Sequence, residues 1–235
     1  MDELTVVVTG ATRGIGAAVA QAFADEGAAV VVCGRAGEDV EDAVADIEEA
    51  GGTVRGMRAD VRDEYDVERL LETAARVDGD GVDVVAACAG VYHGTPGETP
   101  LTEESYAAFD DTLRTNVRGV HATVREALPH LNDDARVLVP TGSIGHESRP
   151  GYGSYAVSKA AAEALVRGFA AELDATVVGL DPGVVATGMM GEKGAAGRDP
   201  EDVAGLFLWA ASDADPAEVD GQVVGLKEWR QATRE

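Results

Sequence analysis

Short apolar runs rich in valine alternate along the chain with longer stretches rich in alanine and glutamate. Runs without polar alternation are typical of strands buried on both faces of a parallel sheet. We predict strands over Leu4–Thr9, Ala29–Cys33, Thr53–Arg58, Val82–Cys88, Arg136–Thr141, Thr176–Leu180 and Gln222–Val224. The stretches between them favour helices near 14–26, 37–50, 64–77, 103–128, 152–173 and 200–212.

Alternation of strands and helices over the whole length predicts an α/β fold. The expected form is a Rossmann-type doubly wound parallel sheet of about seven strands, with helices on both faces in three α/β/α layers. The sequence contains no internal repeat, proline-rich linker or low-complexity segment. A single domain over residues 1–235 is therefore the simplest prediction.

Composition favours a soluble protein of the cell interior. Hydrophobic residues make up 45% of the chain, yet no apolar run reaches the ~20 residues of a membrane span. The start Met-Asp-Glu-Leu does not resemble a signal peptide, so we expect a cytoplasmic location. The two cysteines, Cys33 and Cys88, predict buried reduced thiols, and the four scattered histidines do not have the spacing of a metal site.

The charge balance is strongly acidic, with 43 acidic and 19 basic residues and a net charge of −24. Such a surface repels nucleic acid phosphates and repels itself unless salt screens it. The acids are spread along the chain, and only three bases are lysine. We interpret this pattern as adaptation to a salt-rich cytoplasm, the alternative being an ordinary acidic protein.

A glycine-rich turn follows the first predicted strand and opens the first helix. It reads Thr9-Gly10-Ala11-Thr12-Arg13-Gly14-Ile15-Gly16, a Gly-x-x-x-Gly-x-Gly spacing. Glycines here allow a pyrophosphate to approach backbone amides at a helix N-terminus. The motif predicts a dinucleotide site.

The tip of the second strand bears on the choice of dinucleotide. An acid there usually holds the ribose 2′-hydroxyl of NAD, but this strand runs into Gly34-Arg35. Arg35, with Arg13, could instead pair with a 2′-phosphate. NADP(H) is therefore favoured over NAD(H), the alternative being that Arg35 is only a solvated loop residue.

Tyr155 and Lys159 stand four residues apart on a predicted helix and so share one face. An ammonium group beside a phenol favours the phenolate and predicts a lowered phenol pKa. The pair is a candidate for acid–base catalysis.

Together, these motifs resemble those of the short-chain dehydrogenase/reductase family, over nearly the whole length. Further segments match the family pattern in order: Asp60-Val61, Asn116 in Thr115-Asn116-Val117, Ser143 twelve residues before Tyr155, and Pro182-Gly183-Val184-Val185-Ala186-Thr187. The resemblance implies one NAD(P)-binding domain, and a catalytic set of Asn116, Ser143, Tyr155 and Lys159.

The resemblance also implies a role for each residue. Tyr155 would exchange a proton with the substrate oxygen, Ser143 would hold that oxygen, Lys159 would tune the phenol and bind the nicotinamide ribose, and Asn116 would anchor a water. The implied cofactor-binding set is Thr9, Gly10, Thr12, Arg13, Gly14, Ile15, Gly16, Arg35, Asp60, Val61, Ala89, Gly90, Tyr155, Lys159, Pro182, Gly183, Val185 and Thr187.

The sequence departs from the family pattern in three places. Strand four ends in Ala87-Cys88-Ala89-Gly90 where the family has Asn-Asn-Ala-Gly, so bracing of the sheet must come from elsewhere. The segment from Gly188 to Arg198 is short, and the chain end lacks the usual Asp-Gly-Gly. The substrate pocket therefore follows the family less closely than the cofactor site. Tyr92, His93, His146, Glu147, Tyr152 and Met189–Met190 are interpreted as loop residues, with substrate contact as the alternative.

The function that we predict is NADP(H)-dependent reduction of a ketone or aldehyde, or oxidation of the matching alcohol. The alternative is an NADP(H)-binding sensor or scaffold with little turnover. Epimerase and dehydratase relatives carry a larger C-terminal substrate domain, for which this length leaves no room. The resemblance further implies a homotetramer or homodimer formed through helices 103–128 and 152–173, a small-molecule substrate, and no nucleic acid or membrane partner.

Overall fold

Seven parallel strands form one sheet in the order β3-β2-β1-β4-β5-β6-β7. This arrangement comes from a computed structural model that describes residues 1, 4–77, 81–147, 149–189, 191 and 196–233. The strands are β1 Thr5–Thr9, β2 Ala29–Gly34, β3 Thr53–Arg58, β4 Val82–Ala86, β5 Leu131–Pro140, β6 Thr176–Asp181 and β7 Val223–Gly225. The doubly wound order confirms the predicted Rossmann-type α/β fold.

Helices cover both faces of the sheet. They are α1 Gly14–Asp25, α2 Gly37–Glu49, α3 Glu64–Ala74, α4 Tyr106–Leu113, α5 Gly119–Ala127, α6 Gly153–Glu172, α7 Glu201–Ser212, α8 Pro216–Val219 and α9 Leu226–Ala232. A π-helical turn, Arg114–Arg118, joins α4 to α5, and short 3₁₀ turns occupy Leu128–His130 and Ser143–Gly145. In the described ranges, no helix is long and apolar enough to span a bilayer.

The core lies in two layers, one on each face of the sheet. Val6 and Val8 of β1 pack in the layer that contains residues of α1 and α7, while Val7 packs with residues of α3, α5 and α6. Every residue of β1 and β2 is buried. Burial on both faces explains why these strands are continuous apolar runs and produces the predicted three layers.

The structure corrects several predicted boundaries. β5 begins at Leu131, five residues before the predicted start, and β4 ends at Ala86 instead of Cys88. The single helix predicted over 103–128 is divided by the π-helical turn. The short helices α8 and α9 were not predicted, because α8 is only one turn long and α9 follows β7 directly.

Candidate active site

A cavity of about 420 Å³ opens at the carboxyl ends of the strands, where β1 and β4 lie side by side. This is the point at which the chain order of the sheet reverses, and ligands of doubly wound folds bind there. Most of the predicted site residues line the cavity: Gly10, Thr12, Arg13, Ile15, Gly16, Arg35, Asp60, Val61, Ala89, Gly90, Ser143, Tyr155, Lys159, Pro182, Gly183, Val185 and Thr187. The fold thus brings distant sequence motifs to one place.

The glycine-rich turn depends on glycine for close backbone packing. Gly10 has φ +64°, and a Cβ there would lie 2.7 Å from the Cα of Ala89. A Cβ on Gly16 would lie only 2.3 Å from the carbonyl oxygen of Gly10. Side chains would therefore disrupt the backbone packing of the turn at the N-terminus of α1, where backbone N–H groups favour an anion.

Thr9, Gly14 and Asn116 were predicted in the site but do not line the cavity. The hydroxyl of Thr9 is buried and accepts a hydrogen bond from Ala89 N at 3.1 Å. Gly14 supports the turn with φ +57°. Thr9 therefore braces the loop after β4, supplying part of the support that the missing Asn pair would give.

Asn116 is also a brace. Its Oδ1 accepts from Val91 N at 2.8 Å, and its Nδ2 donates to Val91 O at 2.9 Å and to Ser158 Oγ at 3.0 Å. Ser158 Oγ in turn donates to Tyr155 O at 2.7 Å. Both side-chain N–H groups are thus engaged, so a water held by this side chain would donate to the second lone pair of Oδ1. Asn116 ties the loop after β4 to the helix that carries Tyr155.

Tyr155 and Lys159 lie on one face of α6, as predicted, with the Lys159 Nζ 5.5 Å from the centre of the phenol ring. The predicted lowering of the phenol pKa is wrong for this structure. Burial raises the pKa of Tyr155 to about 12, helped by Tyr92 and Asp181. Burial likewise lowers the pKa of Lys159 to about 8, against the opposing effect of Cys88 and Asp181. Desolvation is the largest cause of both shifts.

Lys159 is also held by a backbone contact. Its Nζ donates to the carbonyl oxygen of Pro140, at the end of β5, at 2.9 Å. An ammonium has three N–H donors, so two remain for other partners. Lys159 is thus fixed between the sheet and the cavity.

Ser143 begins the 3₁₀ turn after β5. No hydrogen bond joins its Oγ, or the phenolic oxygen of Tyr155, to another residue of the described ranges. The turn is held against α6 by His146, whose Nδ1 lies 3.1 Å from Oε1 of the buried Glu163. Ser143 and Tyr155 therefore line the same cavity, and neither hydroxyl has a hydrogen-bond partner among the described residues.

The end of the cavity beside β2 and β3 is lined by charged groups. Asp60 faces it, but its carboxylate is held by the Arg62 guanidinium at 2.6 Å, which keeps its pKa below the usual range. Arg13, Arg35 and Asp39 line the same region. Arg62 also pairs with Asp111, so the charged groups that line this end are the guanidinium groups of Arg13 and Arg35 and the carboxylates of Asp39 and Asp60.

The segment after β6 lines the other end of the cavity. Gly183 N donates to Asp181 Oδ1 at 2.9 Å, which shapes the Pro-Gly turn. Val185 and Arg198 form an isolated bridge that brings the two ends of the short segment together. Met190 and residues 192–195 lie outside the described residues, so the predicted substrate contact of Met190 is not assessed, whereas Met189 lines the cavity.

Sequence reasoning missed Asp181 and Thr115, which also line the cavity. Asp181 ends β6, and an acid at the carboxyl end of a central strand is a signal that could have identified it. Thr115 Oγ1 is buried without a partner among the described residues, as expected of an atom that a bound polar group would satisfy. The described part of the chain has no cluster of metal-ligating side chains.

Comparison with known proteins agrees with the geometry. Residues 4–197 match the family model described as short chain dehydrogenase. The chain is 34% identical over 233 residues to 3beta-hydroxysteroid dehydrogenase 1 of Eggerthella lenta, covering 89% of this chain and 87% of that protein.

Solved structures give the same result. A dehydrogenase/reductase from Sinorhizobium meliloti 1021 superposes with a TM-score of 0.85 at 33% identity, covering 96% of this chain and 94% of the other. A short chain dehydrogenase from Burkholderia cenocepacia J2315, in complex with NADP, has a TM-score of 0.85 at 27% identity, covering 95% of this chain and 96% of that one. The chain belongs to the short chain dehydrogenase family of oxidoreductases.

Proposed function

We propose that this protein reduces a ketone or aldehyde with NADPH, using Tyr155 and Ser143 as the two donors to the substrate oxygen. One observation carries the proposal: both residues line the cavity of the glycine-rich turn, and neither hydroxyl has a hydrogen-bond partner among the described residues. Hydroxyl donors without partners in one cavity are suited to binding an oxygen on which negative charge develops.

The cavity residues fit a dinucleotide. Side chains at Gly10 or Gly16 would collide with backbone, so the space beside the N-terminus of α1 depends on their absence. The turn from Gly10 to Gly16 would hold the pyrophosphate, Asp60 and Val61 the adenine side, and Pro182 to Thr187 the nicotinamide side. When bound, the nicotinamide supplies the hydride that the carbonyl carbon accepts.

The chain's own residues handle the proton. Tyr155 would donate its phenolic proton to the carbonyl oxygen as charge develops there, and Ser143 would donate a second hydrogen bond. With a pKa of about 12, the phenol keeps its proton at neutral pH, which suits the acid of a reduction. Lys159 would give its remaining N–H donors to a cofactor ribose hydroxyl.

NADP(H) is favoured over NAD(H) because Arg13 and Arg35 line the adenosine end of the cavity. A guanidinium can pair bidentately with a 2′-phosphate. In a chain with 43 acids and 19 bases, two arginines at one corner that form no ion pair with a described residue are a specific feature. The NADP complex of the Burkholderia cenocepacia structure supports the same preference.

We also propose a homotetramer or homodimer, in a salt-rich cytoplasm. The supporting feature is a surface groove between the α4–α5 region and α6, lined by Leu113, Arg114, Val117, Arg118, His121 and Leu165. Light scattering in molar KCl should show an oligomer, and Leu165→Glu should shift it toward a monomer. A wild-type monomer in high salt would contradict this assembly.

The function is tested by NADPH consumption with purified protein in molar KCl, against a panel of ketones, aldehydes, 3-oxoacyl thioesters and sugars. We expect turnover with at least one class, and its near-complete loss in Tyr155→Phe with NADPH binding retained. Tyr106→Phe is a matched control, because Tyr106 is 90% exposed. NADPH binding without turnover on any class would instead favour a sensor or scaffold.

A further inference from the structure

The loop between β4 and α4 contacts the start of α6 at several points. We call residues 92–104, from Tyr92 to Glu104, the 92–104 segment. Tyr155 is the third residue of α6, so contacts at the start of this helix act on the proposed proton donor. The family motifs discussed above include no residue of this segment.

Glu104 caps α6 from a distance of 50 residues in sequence. The N-cap residue, Tyr152, makes no side-chain capping hydrogen bond. Instead, Ser154 N donates to Glu104 Oε2 at 2.6 Å and Ser154 Oγ donates to Glu104 Oε1 at 2.5 Å. Ser154 is fully buried, so Glu104 satisfies polar groups that have no contact with solvent in the folded protein. A carboxylate at this position also complements the helix dipole.

Glycine at position 153 makes this approach possible. Gly153 has φ +48°, and a Cβ there would lie 2.7 Å from Glu104 Oε2. A side chain would therefore be strained and would displace the carboxylate. The backbone at the start of α6 is shaped to receive Glu104.

Tyr92 contacts Tyr155 directly. Their ring centroids are 4.9 Å apart, at an interplanar angle of 34°. The Tyr92 hydroxyl lies 3.1 Å from Thr95 O and 3.2 Å from Gly151 O, and Thr99 N donates to the same Gly151 oxygen at 3.0 Å. The ring is thus anchored at its tip to the backbone immediately before α6.

We propose that Glu104 and Tyr92 are positioning residues for Tyr155: Glu104 fixes the first turn of its helix, and Tyr92 fixes the plane of its ring. The proposal rests on the proposed function, in which Tyr155 must lie within hydrogen-bond reach of the substrate oxygen. Its physical basis is that moving a catalytic group by about 1 Å from its productive position can lower the rate of the reaction about 100-fold.

The first test compares Glu104→Ala, Glu104→Gln and the control Glu103→Ala. We expect Glu104→Ala to lower kcat by roughly 10- to 100-fold, with the Kd for NADPH unchanged within about two-fold. Glu104→Gln should recover most of kcat, because its amide can accept from Ser154 N and donate to Ser154 Oγ. Glu103 is an exposed neighbour whose side chain forms no hydrogen bond or ion pair with a described residue, so Glu103→Ala should behave as wild type.

The second test does not need turnover. Tyr155 ionisation is followed at 295 nm, as the difference between each variant and the same variant carrying Tyr155→Phe. Because burial holds the pKa of Tyr155 at about 12, the wild-type difference should show almost no tyrosinate below pH 11. Loosening the helix start admits water, so Glu104→Ala and Tyr92→Leu should show tyrosinate at lower pH, and Glu104→Gln should not.

The outcomes separate the two proposals. If the wild type reduces no carbonyl, the proposed function fails, and the 295 nm titration still decides the positioning role. Wild-type kcat and a wild-type titration in folded Glu104→Ala would overturn the role of Glu104. If Glu104→Ala does not fold, the test uses Tyr92→Leu and Tyr92→Phe instead. Unchanged kcat and an unchanged Tyr155 titration in both variants would refute the positioning role.

Discussion

The ammonium nitrogen of Lys159 lies 5.5 Å from the centre of the Tyr155 ring, yet the phenol pKa is raised and not lowered. Both groups are desolvated, and each therefore favours its neutral form. At neutral pH the phenol keeps its proton, while the pKa of Lys159, about 8, falls within the range where enzymes are assayed. In this pair, lysine is the group that titrates near physiological pH.

A pH profile of the reduction should therefore report Lys159. We expect kcat/KM to be level from about pH 6 to 7.5 and to fall above pH 8 with the slope of one proton, because kcat/KM reports the free enzyme. Loss of the Tyr155 proton should not contribute below about pH 11, since its pKa is about 12.

Lys159→Arg is the matched variant for this profile. Arginine keeps its charge at all usable pH values, so the alkaline limb should disappear even though the rate is lower. An alkaline limb at the same pH in Lys159→Arg would assign it to another group.

The charge of the buried Lys159 should also lower the free energy of unfolding. Its folded-state pKa of about 8 is below the ordinary value of 10.5, so its charge costs folding free energy below pH 8. That cost should diminish as pH rises from 8 to 10.5, because the unfolded chain then binds more protons than the folded one. Lys159→Met should thus raise the free energy of unfolding at pH 7, and by less at pH 9.5.

Urea unfolding at both pH values measures this difference. Lys227→Met, near the chain end, is the control and should show no comparable gain. An equal gain for Lys159→Met at both pH values would mean that packing of the methionine, not the charge, is responsible.

Arg35 should set the cofactor preference. Arg35→Asp replaces a partner for the 2′-phosphate by an acceptor for a ribose hydroxyl, so kcat/KM with NADPH should fall relative to NADH by about 10-fold or more. Arg55→Asp is the control, because Arg55 is exposed on β3 and does not line the cavity. An unchanged ratio in Arg35→Asp would remove the argument for NADP(H).

Local motifs made much of the site predictable. The turn from Gly10 to Gly16 and the Tyr155–Lys159 pair each lie within a short stretch of sequence, so local rules predict their geometry. The structure places both around one cavity. Thr9 was assigned to the cofactor because it precedes Gly10, but the pairing of β1 with β4 places its hydroxyl under Ala89. Sequence neighbours do not reveal such pairing.

The contacts that orient the site could not be predicted for a related reason. Glu104 meets Ser154 across 50 residues, through two loops whose packing has no periodic signal. The raised pKa of Tyr155 depends on burial, which the four-residue spacing to Lys159 does not report. The spacing predicted that Tyr155 and Lys159 would lie close together, whereas their desolvation determined their pKa values.

High salt should stabilise the fold. With a net charge of −24, the surface repels itself at a Debye length of about 10 Å in 0.1 M salt, and much less at about 3 Å in 1 M salt. We expect the thermal midpoint to rise by several degrees between dilute buffer and molar KCl. Equal midpoints would contradict adaptation to a salt-rich cytoplasm.

The end of α2 allows this electrostatic effect to be separated from general effects of salt. Glu48 and Glu49 lie in the last turn of α2, where the carbonyl end of the helix dipole disfavours anions, and that turn has no basic residue. The double variant Glu48→Gln/Glu49→Gln should raise the thermal midpoint in dilute buffer. The rise should be smaller in molar KCl, because salt already screens the repulsion that the substitutions remove. Glu38→Gln at the first turn of the same helix is the control, because an acid there is favourable, and its loss should lower the midpoint. A gain for the Glu48/Glu49 variant that is the same at both salt concentrations would show that screening of surface charge is not what stabilises this protein.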